Sequence, residues 1–281
     1  MSSRSIGGSM DISTEEVEPL ELERLACLEI RGGNRLAVYS AELPGLNAWI
    51  SSRPLLPAVR GGDLHYLSVC SGGVVSRVVL ADVAGHGEVV GSIAERLKDA
   101  LRLHADSWDQ SVLIQNLNNT FLRGSGQDGP GGLQYATALV LSYHDQSKEL
   151  LFTNAGHSIP LWFRADLERW FLLEDSIPNP VEVTDLPLGL IPGTSYTMTE
   201  IRMAPGDLLV LYTDGITEST DDSGEQLGLE GLLAMARQSP VHSPDAAGRA
   251  LLAAVEAFRG HTTAADDETL VVLQFKPLQP A

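Results

Sequence analysis

The stretch Val78–Gly87 reads VVLADVAGHG and joins an apolar run to a glycine-rich turn through a single aspartate, Asp82. An apolar run of this kind predicts a β-strand, and glycine in the turn lets the backbone and a ligand approach each other closely. A carboxylate at the end of a strand is held in place by the sheet. The stretch therefore predicts that Asp82 belongs to a site at the edge of a sheet.

Three other aspartates have a similar setting. Asp63 and Asp266 each precede an apolar run, and Asp214 follows one. Carboxylates gathered in this way repel one another unless a cation neutralises them, and hard divalent ions prefer oxygen ligands. The four aspartates therefore predict a centre for two ions, Mg²⁺ or Mn²⁺. Zinc is disfavoured because neither cysteine has a Cys or His partner at a usable spacing.

The predicted metal centre implies a reaction. Two such ions can lower the pKa of a water molecule and orient a phosphoryl group for in-line attack. The predicted chemistry is therefore hydrolysis of a phosphate ester without a covalent enzyme intermediate.

Composition narrows the class of protein. The net charge is −18, from 37 acidic and 19 basic residues, and no cluster of Lys or Arg predicts binding to nucleic acid or to an anionic membrane. No run approaches the ~18 apolar residues of a membrane span, and the N-terminus lacks the apolar segment of a signal peptide. Cys27 and Cys70 lie in apolar stretches typical of buried free thiols. We expect a cytoplasmic protein.

The order of elements predicts the fold class. Hairpins come first, followed by two helices from about residue 88, more strands, two further helices and a last strand. This order favours an α+β fold with mainly antiparallel sheets and helices packed outside. We predict a polar segment at residues 1–22, one domain at residues 23–276 and a short tail at residues 277–281.

Three local predictions bear on the site. Leu25–Ile30 and Arg35–Tyr39 form a hairpin through Gly32-Gly33-Asn34. Residues 40–60, which contain three prolines, form a loop. Ser107 caps the second helix.

Five motifs occur together and in order, and their joint occurrence is far more specific than any one of them. They are Gly61-Gly62-Asp63, Leu80–Gly87, Thr153-Asn154-Ala155-Gly156-His157, Tyr212–Glu218 and Asp266-Asp267-Glu268-Thr269. In this order they resemble the signatures of the metal-dependent protein phosphatases (PPM, type 2C-like), and more narrowly the bacterial SpoIIE/RsbU-like branch. The resemblance runs from about residue 58 to residue 276.

The resemblance implies a four-layer α-β-β-α fold, an antiparallel β-sandwich flanked by helices. It also implies that Asp82 bridges both ions, that the backbone carbonyl of Val83 binds one of them, and that Asp63, Asp214 and Asp266 complete the ligand set. Asp82 and Asp214 would be the catalytic residues. Asp267 is expected to accept a hydrogen bond from a nearby backbone N–H.

Two positions depart from the pattern of the family. Tyr66 stands where many relatives carry a second acidic residue, which predicts weaker binding of one ion. Ala84 stands where eukaryotic relatives carry a histidine, so no general acid is assigned. We expect His86 to satisfy the turn or to cap the following helix, and Asn154 and His157 to support the site. Two arginines, at positions 60 and 123, could approach a substrate phosphate but more often form surface ion pairs.

The function implied is a phosphoserine/phosphothreonine protein phosphatase. Its partner would be a phosphorylated protein, such as an anti-sigma-factor antagonist. The helices at 88–122 would form a switch. Two alternatives stay open: an inactive pseudophosphatase that serves as a protein-binding module, and a hydrolase of small phosphate esters.

Overall fold

The structure is a computed structural model that describes residues 23–25, 29–69, 72–85, 88–105, 107, 109–124, 134–176 and 185–277. The predicted boundaries at residues 22 and 277 stay predictions. Both cysteines and His86 lie outside the described residues.

The described residues form thirteen strands and five α-helices. In chain order the strands are β1 Glu23–Arg24, β2 Ile30–Gly33, β3 Ala37–Leu43, β4 Leu46–Arg53, β5 Asp63–Val69, β6 Val75–Val83, β7 Ala136–His144, β8 Glu149–Ala155, β9 Leu161–Arg164, β10 Arg169–Leu172, β11 Thr199–Arg202, β12 Leu208–Tyr212 and β13 Glu268–Phe275. The helices are α1 Glu88–Leu103, α2 Gln110–Gly124, α3 Asp214–Thr217, α4 Gly228–Ala236 and α5 Pro244–Arg259.

The strands form two sheets. The seven-stranded sheet has the order β1-β3-β4-β13-β12-β9-β10, and the six-stranded sheet has the order β11-β8-β7-β6-β5-β2. Apart from the short parallel pair β1–β3, the neighbouring strands in both sheets are antiparallel. This confirms the predicted antiparallel sandwich.

Successive side chains along each strand point to opposite faces, and this alternation allows four layers to pack together. On β5 and β6, Leu67 and Leu80 pack between the two sheets. Their neighbours Tyr66 and Val79 pack against α1 and α2 on the outside. On the other sheet, side chains such as Trp49 pack against α4 and α5. Successive strand residues point to opposite faces, so one strand can serve two apolar layers at once.

The prediction of a loop at residues 40–60 is wrong for residues 40–53, whereas residues 54–60 are irregular, as predicted. β3 and β4 form a tight antiparallel hairpin across this region, with Leu43 opposite Leu46. Pro44 lies in the two-residue turn and Gly45 has a φ of +71°, a backbone conformation that glycine adopts without strain. Pro44 therefore marks only this turn, whereas Pro54 and Pro57 lie in the irregular segment that follows β4.

The hairpin predicted through Gly32-Gly33-Asn34 is also wrong. β2 pairs with β5 in one sheet, whereas β3 pairs with β4 in the other. Gly32 is needed for another reason, because a side chain at this position would overlap the backbone of His65. The segment that looked like a turn crosses from one sheet to the other.

The second helix begins later than predicted. Asp109, and not Ser107, caps it: Asp109 Oδ1 accepts hydrogen bonds from the backbone N–H groups of Ser111 at 2.8 Å and Val112 at 3.4 Å. The Ser107 carbonyl instead accepts a 2.6 Å hydrogen bond from the buried guanidinium of Arg77. No helix in the described ranges is both long enough and apolar enough to cross a membrane.

We predict that Gly248→Ala destabilises the protein, although alanine is the better helix former by ~1 kcal/mol. Gly248 lies inside α5, and a Cβ there would overlap the Trp49 ring. Overpacking of this kind typically costs about 1–3 kcal/mol. Urea unfolding measures the change. Gly231→Ala in α4 is the control, since a Cβ there meets only the flexible Leu227 side chain. Equal stability of Gly248→Ala and the wild type would contradict the packing argument.

Candidate metal centre

Asp63 and Asp82 lie side by side on neighbouring strands. They are register partners in the antiparallel pair β5–β6. Each lies an even number of residues from a side chain of the inter-sheet core, Leu67 for Asp63 and Leu80 for Asp82. Both side chains therefore project from the face of the sheet that packs against the other sheet.

A hydrogen bond links this pair to the opposite sheet. Thr213, which follows β12, donates from Oγ1 to Asp63 Oδ2 at 2.7 Å. The same Oγ1 accepts a 2.9 Å hydrogen bond from the backbone N–H of Thr269 on β13. Thr213 is fully buried and immediately precedes Asp214. The contact therefore brings the strand end that carries Asp214 to the strand that carries Asp63.

Asp266 and Asp267 lie just before β13 and have different surroundings. Asp267 accepts hydrogen bonds from the backbone N–H of Leu55 at 2.6 Å and of Gly62 at 2.5 Å. A side chain on Gly61 would overlap the Asp267 carboxylate. Asp267 thus holds the backbone that leads into Asp63, in agreement with its predicted role. Asp266 Oδ1 accepts a 2.8 Å hydrogen bond from the Asp267 N–H.

Val83 is the last residue of β6, two residues beyond the predicted end of the strand. Gly62 faces it closely: a Cβ on Gly62 would stand 2.8 Å from Val83 O, 2.7 Å from Val90 Cγ1 and 3.5 Å from Asp82 Oδ1. Only glycine leaves space between this carbonyl, the Asp82 carboxylate and α1.

The electrostatics show which carboxylates act on Asp82. Burial is the largest cause that raises the pKa of Asp82 from 3.8 to about 7, followed by the charges of Asp214, Asp266, Asp267 and Glu218. Burial and then the Asp82 charge also raise the pKa of Asp63 well above its ordinary value, although the Thr213 hydrogen bond opposes the shift. The aspartates of the two sheets therefore lie within electrostatic reach of one another.

The donor chemistry at this edge fits Mg²⁺ or Mn²⁺, because carboxylate and backbone carbonyl oxygens are the ligands that these ions prefer. A cation would also remove the repulsion that raises the two aspartate pKa values. Within the described ranges, however, no three His, Cys, Asp or Glu side chains form a group that could hold a metal ion. The carboxylates are neighbours at this edge and do not form a closed ligand cage.

His157 connects the two sheets beneath the carboxylates. Its Nε2 lies 3.1 Å from the Tyr212 carbonyl on β12, and its Nδ1 lies 2.7 Å from Thr137 Oγ1 on β7. Because a carbonyl only accepts, Nε2 carries the proton and Nδ1 accepts from Thr137. Burial lowers the pKa of His157 to about 4, so the ring is neutral. Asn154 holds the turn through a 2.7 Å hydrogen bond from the His157 N–H.

The other candidates have contacts of their own. Tyr66 faces the helices, where its hydroxyl donates to the Leu101 carbonyl at 3.4 Å. Arg60 forms a 2.7 Å ion pair with Glu95. Arg123 is exposed near the end of α2. The Ala84 N–H donates to the Tyr135 carbonyl at 3.0 Å.

Two residues of the site received no role in the sequence analysis. Thr213 and Glu218 both lie in the motif Tyr212–Glu218, and the sequence contains a pattern that indicates the position of each. Thr213 continues the inward-facing alternation of β12 beyond Leu209 and Leu211. Glu218 follows Asp214 by four residues, the spacing of one helical turn. Burial and then the charges of Asp214 and Asp266 raise the pKa of Glu218.

The fold is that of the PP2C phosphatases. The structure of the RsbU and RsbW domains of Rv1364c from Mycobacterium tuberculosis matches 88% of this chain and 64% of its own, with a TM-score of 0.69 and 22% identity. Two other matching structures contain metal ions: RsbX in complex with magnesium, with a TM-score of 0.61 and 14% identity, and the PstP catalytic domain in complex with 2 manganese ions, with a TM-score of 0.55 and 18% identity. The RsbX match covers 85% of this chain and 100% of the RsbX chain. The PstP match covers 83% of this chain and 99% of the PstP chain.

Sequence comparison identifies the family. The family model for stage II sporulation protein E (SpoIIE) matches residues 73–276. The chain therefore belongs to the SpoIIE family of PPM-type phosphatases, which confirms the resemblance seen in its motifs. Protein IcfG of Synechocystis is 28% identical over 76% of this chain, and phosphoserine phosphatase RsbU of Bacillus subtilis is 22% identical over 52%. The matches span only 38% and 40% of those two proteins.

We predict that Thr213→Val weakens binding of Mn²⁺, whereas Thr213→Ser, which keeps the hydroxyl, binds like the wild type. Valine removes the donor to Asp63 and leaves the buried Thr269 N–H without its acceptor. Loss of a group that orients a ligand typically costs ~10- to 100-fold in metal affinity. Titration calorimetry measures the affinity, and circular dichroism verifies the fold. Wild-type affinity in folded Thr213→Val would contradict the role of this contact.

A second prediction concerns the pH dependence of the metal-free protein. The pKa of Asp82 is higher in the folded chain, about 7, than the ordinary 3.8. The folded state therefore retains a proton that the unfolded state releases, and its stabilising effect is full below pH ~4 and lost as the pH rises through about 7.

In EDTA, the melting temperature of the wild type should consequently fall as the pH is raised across this range. Asp82→Asn cannot titrate at this position, so its melting temperature should fall less. Identical pH profiles of the two proteins would refute the shifted pKa.

Proposed function

We propose that this chain is a phosphoserine/phosphothreonine protein phosphatase that depends on two Mn²⁺ or Mg²⁺ ions. Asp63, Asp82, Asp214, Asp266 and the backbone carbonyl of Val83 would bind the ions. The observation that carries the proposal is the link from Thr213 to Asp63 between the two sheets, together with the action of Asp214 and Asp266 on Asp82. Membership of the SpoIIE family supports the same activity.

The ions, when bound, would supply a nucleophilic water and neutralise charge on the phosphoryl group. The residues of this chain would position them. Asp82 lies at the centre of the acidic group, because its pKa responds to carboxylates from the opposite sheet. It would release its proton as a cation binds, since ligation requires the charged carboxylate. Asp214, at the start of α3, would complete the catalytic pair with Asp82.

The substrate would be a phosphorylated protein. One relative is named phosphoserine phosphatase, which supports a phosphoserine side chain as the reacting group. The carboxylates lie at the edge of the sandwich and Glu218 beside them is exposed, so a phosphorylated side chain on the surface of another protein could approach. An anti-sigma-factor antagonist is the kind of partner that we propose, in a cytoplasmic signalling pathway.

We predict that Asp82→Asn lowers Mn²⁺-dependent turnover of p-nitrophenyl phosphate by at least about a hundredfold, because both proposed ions lose a negatively charged ligand. Asp99→Asn is the matched control: it makes the same chemical change on the exposed face of α1, and its turnover should equal that of the wild type. Circular dichroism should show both variants folded. Near-normal turnover by Asp82→Asn would exclude Asp82 as a ligand of both ions.

The same assay separates the proposal from its two rivals. A protein-binding pseudophosphatase would show no Mn²⁺-dependent turnover in the wild type. A hydrolase of small phosphate esters would turn over a sugar phosphate faster than a phosphoserine peptide. We expect the peptide to be the better substrate.

A further inference from the structure

A cavity of about 430 Å³ lies where the chain crosses between the two sheets. Its wall includes the crossing segment, residues 32–37, together with His65 of β5 and Lys98 of α1. The volume lies within the ~300–1,000 Å³ that small-molecule sites occupy. None of the proposed metal ligands lines this cavity.

The lining has a charge opposite to that of the chain. It contains three cationic residues, Arg31, Arg35 and Lys98, and no acidic residue. Yet the chain has 37 acidic residues against 19 basic ones. In the part of the chain that the structure describes, no carboxylate forms an ion pair with Arg35 or Lys98. A concave surface with unpaired positive charge attracts anions.

One polar group in the wall is buried without a partner. His65 is only 2% exposed, and its Nδ1 has no hydrogen-bond partner among the described residues. Leaving such an atom unsatisfied costs about 1–3 kcal/mol. The His65 ring lies 5.7 Å from the Tyr39 ring, and Ile30 adds aliphatic surface to the same cavity. The lining thus offers an apolar wall next to the cations, and the buried His65 Nδ1 lies behind that wall.

We propose that this cavity binds a small organic anion. Its phosphoryl or carboxylate group would lie by Lys98 and Arg35, and its body would pack against Tyr39 and His65. The Lys98 ammonium is placed for this contact, because Nζ lies next to Gly33: a Cβ added to Gly33 would stand 3.7 Å from it. The site needs neither metal ions nor phosphatase activity, so it does not depend on the proposed function.

The test is titration calorimetry of the full chain in EDTA with two probes, phenylphosphonate and phenylacetate. The chelator removes metal ions, so an anion cannot bind at the proposed metal centre. We expect at least one probe to bind with a dissociation constant below about 1 mM. Binding of phenylphosphonate alone would assign a phosphorylated ligand, and binding of phenylacetate alone would assign a carboxylate.

Matched variants locate the binding. Lys98→Glu should lower the affinity for the probe that binds by at least about tenfold. Arg102→Glu makes the same change in charge on α1 outside the cavity lining and should alter affinity by less than about twofold. Lys98→Gln replaces Lys98→Glu if the latter does not fold. The proposal fails if neither probe binds with a dissociation constant below about 1 mM, or if the variants at both positions weaken binding equally.

Discussion

Repulsion between carboxylates at one edge of the sandwich is the constraint on which the rest of the structure depends. Burial raises the pKa of Asp82 toward about 7, and the charges of Asp214, Asp266, Asp267 and Glu218 act in the same direction. An open loop would relax by moving its charges apart, but these aspartates lie at the ends of closely packed strands. The apolar layers on both faces of each sheet therefore keep like charges together. A divalent cation is the simplest group that would turn this repulsion into attraction.

Two polar side chains, Thr213 and His157, join the two sheets where the apolar core ends. Thr213 links β12 and β13 to Asp63, and His157 links Tyr212 on one sheet to Thr137 on the other. Thr137 is also the register partner of Asp82. Each link thus reaches a strand that carries a candidate ligand or is paired with one that does. Buried polar groups are costly unless they are satisfied, and here their mutual hydrogen bonds fix the distance between the sheets next to the carboxylates.

The sequence predicts the parts of the site that local patterns determine. Asp63, Asp82, Asp214 and Asp266 were found because each lies beside an apolar run, and the order of elements predicted the antiparallel sandwich. What the sequence did not predict depends on contacts between distant strands. Gly32-Gly33-Asn34 looks like a hairpin turn, and only the pairing of β2 with β5 shows that it crosses between sheets. Likewise, the alternation along β12 predicts that Thr213 faces inward, but it does not predict that its hydroxyl reaches Asp63, 150 residues earlier.

Asn34 shows why the crossing segment matters to both sites. Its side-chain amide donates to the Gly61 and Gly91 carbonyls, each at 3.0 Å. The backbone carbonyl of Asn34 accepts a hydrogen bond from the Gly61 N–H at 2.8 Å. The same residue lines the cavity beside Lys98. One buried amide therefore joins the cavity wall, the first turn of α1 and the glycine pair that leads into Asp63. Any ligand that displaced the crossing segment would also disturb the backbone that positions this aspartate, because these hydrogen bonds connect the two directly.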